Sequence, residues 1–86
     1  MDFTFDPNKS ERNLQERGFG FGYAARVFGG HPMISLAKVI DGELRMKAVG
    51  EIEGELFAVI FVDRDNVRRI ISARPASRKE RREWQT

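Results

Sequence analysis

The sequence predicts an α+β fold with two N-terminal helices, a four-stranded and mainly antiparallel sheet, and a C-terminal helix. Three observations carry that expectation. Apolar residues up to Phe28 recur at helical spacing, and from Met33 to Arg74 they fall in strand-length runs separated by turn-forming residues. Just past Pro75, Ser77-x-x-Glu80 has the spacing of a helical capping box.

The first helix is expected over 7–17. Asp6 supplies an N-cap, Pro7 suits the first helical position because the N–H it lacks would be unpaired there anyway, and Gly18 provides a stop. Leu14 is the only clearly apolar residue of this stretch, so burial cannot be the main force holding the helix. Lys9, Asn13 and Arg17 are spaced four apart and share one face, either a solvated stripe or a surface for a ligand. Phe21, Ala24, Ala25 and Phe28 follow the i, i+3, i+4, i+7 pattern of a second, short helix packed on the core and ended by Gly29-Gly30.

From His31 the period changes. Met33–Ile40, Leu44–Gly50, Glu55–Val62 and Val67–Arg74 read as strands, with Asp41-Gly42, Glu53-Gly54 and Asp63–Asn66 as the turns between them. Connections this short favour antiparallel neighbours. The run from Leu56 to Val62 is apolar on both faces, as in a central strand covered on both sides or one flanked by a partner. Pro75 breaks the last strand, and the capping box opens a helix that ends near Trp84 and carries Arg78, Arg81 and Arg82 on one face.

A chain of 86 residues with 41% hydrophobic side chains can build one small core, so residues 1–86 are expected to form a single domain. Cysteine is absent, which excludes a disulfide framework and fits a reducing compartment. No export leader and no apolar stretch near the roughly 18 residues of a membrane span is present, so the expected location is the cytoplasm, away from membranes. Charge is unevenly placed. Residues 1–63 carry 7 Lys and Arg against 10 Asp and Glu, whereas residues 64–86 carry 8 against 3. A basic C-terminal end suits RNA, DNA or an acidic protein partner, and equally an ordinary solvated helix.

The chemistry available is narrow. One histidine, no cysteine and scattered acids argue against a metal site, and no cofactor is expected. His31 lies in the turn Gly29-Gly30-His31-Pro32, a poor place for the base of a nucleophilic triad, and no Walker-type phosphate loop occurs. Arginine remains. Arg68, Arg69, Arg74, Arg78, Arg81 and Arg82 fall within fifteen residues, and guanidinium groups bind phosphate bidentately and stabilise a pentavalent phosphorane. Because arginine is a poor general base, a nuclease built on this cluster would need Lys9, a carboxylate, or a substrate 2′-hydroxyl activated by electrostatics and orientation.

The opening Phe5-Asp6-Pro7-x-Lys9-x-x-x-Asn13 resembles the first signature of BrnT-type toxins. Gly18 to Phe28 resembles that family's second helix, and Glu43-x-Arg45 with Gly50 resembles its middle strands. The most specific stretch, Arg69 to Arg82, is similar to the family's Arg-Ile-Ile-Ser-Ala-Arg strand and the Arg/Glu-rich helix after it, with Trp84 where an aromatic is expected. The resemblance implies a compact α+β fold related to RelE- and ParE-like toxins, metal-independent RNA cleavage that arrests growth, and neutralisation by a BrnA-type antitoxin. It implies contact with promoter DNA only through the antitoxin complex. Residues placed in catalysis on this basis are Lys9, Arg45, Arg69 and Arg74; those placed in RNA binding are Arg17, Arg68, Arg78, Arg81 and Arg82. One departure stands out. The family usually reads Lys-His-Gly at the end of the first helix, where this chain has Glu16-Arg17-Gly18. The competing reading is therefore a catalytically inactive relative that binds the antitoxin or nucleic acid.

Overall fold

The computed structural model describes residues 2–85, and in it the α+β expectation is met with one more strand than the sequence suggested. The elements in order are β1 (Asp2–Phe5), α1 (Pro7–Arg17), α2 (Phe21–Ala24), a 3-10 turn (Ala25–Gly29), β2 (Met33–Ile40), β3 (Glu43–Ile52), β4 (Glu55–Arg64), β5 (Val67–Pro75) and α3 (Arg78–Gln85). The expected second helix is thus an α-helical turn that tightens into 3-10 geometry.

Helix α1 begins as its sequence dictates. The Asp6 carboxylate accepts from the Asn8 N–H at 2.9 Å, Pro7 fills the first position, and Gly18 closes the helix at φ 88 with its N–H on the Leu14 carbonyl. Leu14 is exposed, so hydrogen bonds and not burial tether the helix to the loop that follows. Buried Asn13 donates to the Phe19 carbonyl at 2.8 Å, and the Ser10 hydroxyl accepts from the Phe21 N–H at 2.9 Å. Asn13 is thus buried by its bond to the loop, at the floor of a groove that it lines with Lys9 and Arg17.

Three two-residue turns set the sheet. Asp41-Gly42, Glu53-Gly54 and Asp65-Asn66 all have positive φ at both positions. That is the backbone of type I′ hairpins, whose twist matches that of the flanking strands. They yield the antiparallel run β2–β3–β4–β5, with β4 at its centre as its two-sided apolar pattern required. The sequence reading of four mainly antiparallel strands is corrected at one edge: β1 pairs in parallel with β5, from Asp2 opposite Val67 to Phe5 opposite Ile70, giving a five-stranded mixed sheet. Four residues are too few to show a strand period, and the partner lies at the far end of the chain.

Each face of the sheet is covered differently. On one, Phe21, Ala24 and Val27 pack on Ala48, Val59, Phe61, Ile70 and Ala73. Gly50 lets this layer come close, since a Cβ there would meet the Val27 Cβ at 3.0 Å and its carbonyl oxygen at 3.2 Å. On the other face α3 covers only one end, with Trp84 and Ala76 packed against Val49, Leu56 and Ala58. Helix α3 starts from the capping box read in the sequence: the Glu80 N–H donates to the Ser77 hydroxyl at 3.2 Å, and the Ser77 N–H donates to Glu80 at 2.8 Å. Ser77→Ala is expected to cost about 1 kcal/mol, read as a small fall in melting temperature with folding intact. An unchanged melt would mean the box contributes nothing.

Candidate functional site

Side chains alternate across a strand, so register decides which cations share a face. On the side α3 leaves half open, Lys38 pairs with Arg45, and Val62 pairs with Arg69, which pairs with Thr4. Arg45 sits one position beyond the Met46–Phe61 pair and thus beside Val62. A second row is Ser35, Lys47, Ile60 and Ser72, and a third is Met33, Val49, Ala58 and Arg74. Arg45, Arg69 and Arg74, which the sequence assigned to catalysis, therefore lie on one face, joined by Lys38 and Lys47, which it did not single out.

Arg69 and Arg74 are five positions apart, a spacing that would put them on opposite faces of a regular strand. The pairing of β4 with β5 shifts register between Ile60 and Phe61, so Ile71 is an extra residue in β5 and both arginines point to the same side. Arg45 is half-buried, and its Nε has no hydrogen-bond partner among the described residues. That Nε is shielded from solvent, so it would meet an anionic oxygen only if the side chain moved.

Glu80 of α3 reaches onto this face. Its carboxylate accepts from both Nη atoms of Arg74 at 2.7 and 2.9 Å, from Lys47 Nζ at 2.9 Å and from the Ser77 N–H at 2.8 Å. Hydrogen bonding to Arg74, followed by the bonds from Ser77 and Lys47, holds its carboxyl well below the usual carboxylate range against the opposing effect of burial, and the same contact raises Arg74. Because folded Glu80 binds its proton more weakly than it does unfolded, the linkage stabilises the chain fully above the ordinary carboxylate range and fades as pH falls below it.

The remaining candidates lie elsewhere. Lys9 is on α1, in a groove beside β5 shared with Arg12, Glu16, Arg17 and Ser72; Ser72 also belongs to the row of Lys47. Arg17 donates to the Ala73 carbonyl at 2.7 Å, covering the edge of β5 where β1 has ended. Arg68 is on the opposite face from Arg69: its guanidinium stacks over Phe28 and Phe61, 4.6 and 4.3 Å from the ring centroids, and forks onto Asp63 at 2.8 and 2.9 Å. Arg78, Arg81 and Arg82 are exposed on α3, with Arg81 also donating to the Ala76 carbonyl. Among the described residues no group of three or more His, Cys, Asp or Glu side chains could hold a metal ion, and no helix is long and apolar enough to cross a membrane.

What this arrangement can do is present several guanidinium and ammonium groups, two of them held by Glu80, to an anionic ligand on a half-covered sheet face. Comparison with known proteins bears on what it binds. A search of curated proteins gave no match. The family model described as the ribonuclease toxin, BrnT, of type II toxin–antitoxin systems matches residues 5–80, which includes every strand of the basic face except β1's first residues, and Glu80 itself. The chain belongs to the BrnT family of ribonuclease toxins of type II toxin–antitoxin systems.

Proposed function

We propose that the chain is a metal-independent endoribonuclease that arrests growth and is neutralised by a BrnA-type antitoxin, and that the half-open sheet face is where RNA is bound and cut. The observation that carries this is the register, which gathers Arg45, Lys47, Arg69 and Arg74 on one face of a rigid sheet. In the proposed reaction the substrate 2′-oxygen bonds to the adjacent phosphorus as the bond to the 5′-oxygen breaks. A 2′,3′-cyclic phosphate and a 5′-hydroxyl result, with the proton passing from one oxygen to the other through solvent. Arg69 and Arg74 stabilise the charge on the phosphorane, and the Arg45 guanidinium attracts a neighbouring phosphate. Lys9 and Arg17, beside β5, position the strand as it leaves the face. Arg78, Arg81 and Arg82 act as screened phosphate contacts. For Arg68 we propose a structural part, since its guanidinium packs on two rings and its fork is taken by Asp63.

Expression of the chain alone is expected to arrest growth of a bacterial host, with relief by the antitoxin encoded beside it. Purified protein is expected to cleave single-stranded RNA in the presence of EDTA and to leave 2′-O-methyl RNA intact, and Arg69→Ala is expected to lower the rate about 100-fold or more. Normal growth with verified soluble protein, and no cleavage in vitro, would overturn this reading in favour of an inactive relative. Retained antitoxin binding would then be the function left.

A further inference from the structure

We infer that Glu80 is a positioning residue for RNA cleavage, acting through Arg74 and Lys47. This inference rests on the proposed function and deepens it. Arg74 and Lys47 belong to β5 and β3, on either side of β4, and are one row out of step. Strand spacing alone separates their backbones by about 10 Å. Both side chains nevertheless end on one carboxylate, Arg74 through two bonds of 2.7 and 2.9 Å and Lys47 through one of 2.9 Å. Glu80 is itself fixed, because its side chain is 5% exposed and its position in the helix is locked by the reciprocal capping box with Ser77.

Four donors saturate the two oxygens, so a phosphate would have to break all four contacts to displace the carboxylate. The arrangement therefore serves to orient the cations and is not a competitor waiting to leave. Two long side chains that would otherwise sample many rotamers are held at one separation, and Arg74, whose Nη1 also donates to the Pro75 carbonyl at 3.3 Å, keeps its Nε–H and outer Nη2–H for a substrate oxygen. The sequence contains the same information only as a capping-box glutamate, which is why it read as a structural residue.

The test uses Glu80→Gln in the full chain. Glutamine satisfies the capping box, so the helix start is kept, but its amide is neutral and cannot hold both cations. Single-turnover cleavage of a single-stranded RNA oligonucleotide would be measured well below the melting temperature, alongside affinity for the same strand in 2′-O-methyl form. The expected result is cleavage slowed at least about tenfold with binding unchanged or tighter, because a negative charge has been removed from a phosphate-binding face. A purely structural glutamate predicts a lower melting temperature with an unaltered cleavage rate, and a competitor of phosphate predicts faster cleavage; either result would overturn the inference. Should Glu80→Gln fail to fold, Glu80→Asp carries the test. It keeps the charge but shortens the reach by one methylene, so slower cleavage at unchanged affinity is expected, and a wild-type rate overturns the proposal. Wild-type protein that cleaves no RNA would sink the proposed function itself, whereas an active wild type with an indifferent Glu80→Gln sinks only this inference.

Discussion

Arg74→Ala is expected to abolish RNA cleavage and growth arrest while leaving a folded protein. On the site side, a preorganised donor to a charged transition state is worth about 2.7–4 kcal/mol, or roughly a hundred- to thousand-fold in rate. Arg74 has the rigidity that this value requires, being fixed by a strand at one end and by a bidentate pair with Glu80 at the other. On the stability side, removing one partner of a buried pair costs about 3–5 kcal/mol. Here the loss is moderated, since Arg74 is 39% exposed and Glu80 keeps Lys47 and the Ser77 N–H. A cost of about 2 kcal/mol is the expected balance, in line with hydrogen bonds to charged groups.

Arg74→Lys separates charge from geometry. An ammonium preserves the charge but cannot make the two parallel bonds to Glu80, so cleavage should fail here too. Each variant would be checked for its melting temperature and antitoxin binding before cleavage is scored, with Arg82→Ala as a comparison that weakens RNA binding modestly and mainly at low salt. If Arg74→Lys cleaves as well as the parent while Arg81→Ala is inactive, the reacting phosphate sits on α3 and not on the sheet.

How much of this was legible in the sequence follows from how local each signal is. The Asp6–Pro7 start of α1, the paired turn residues, the apolar run of β4 and the Ser77–Glu80 box depend on residues a few positions apart, and all appear where the sequence put them. Strand β1 does not, because the strand it pairs with is more than sixty residues away. The site shows the same division. Arginines were grouped by nearness in sequence, yet Arg68 and Arg69, as neighbours in a strand, must face opposite ways. Strict alternation would in turn have separated Arg69 from Arg74, and only the extra residue at Ile71 reunites them. That bulge leaves no mark in the sequence, since Ile70-Ile71 reads as ordinary strand. Lys47 has no signal of its own in the sequence; its meaning comes from Glu80, thirty-three positions on.

The largest loss of stability is expected from Phe61→Ala, at about 3–5 kcal/mol. Phe61 is 1% exposed at the centre of the middle strand, its ring edge-on to Phe28 at 5.1 Å and under the Arg68 guanidinium at 4.3 Å. Truncation removes the ring's burial and leaves a void that the flanking strands cannot close, because Ile70 beside it is held in its own pairing with β4 and is already fully buried. For a domain of this size the whole stability is on the order of 4–13 kcal/mol. A shift of about 12–40 °C in melting temperature follows from about 4–8 °C per kcal/mol. Phe3→Ala is the matched comparison: Phe3 also stacks on Phe28, at 5.4 Å, but is 42% exposed, and its loss should cost less than about 1 kcal/mol. Arg68 gives a second reading of the same experiment. With one of its two rings gone it rests on Phe28 and Asp63 alone, on the face away from Arg69, so cleavage measured well below the lowered melting temperature should survive. A Phe61→Ala protein that melts within about 5 °C of the parent would show that this core repacks around the gap. One that melts low but is already inactive when fully folded would show that the helix-covered face, and not only the basic one, governs the chemistry.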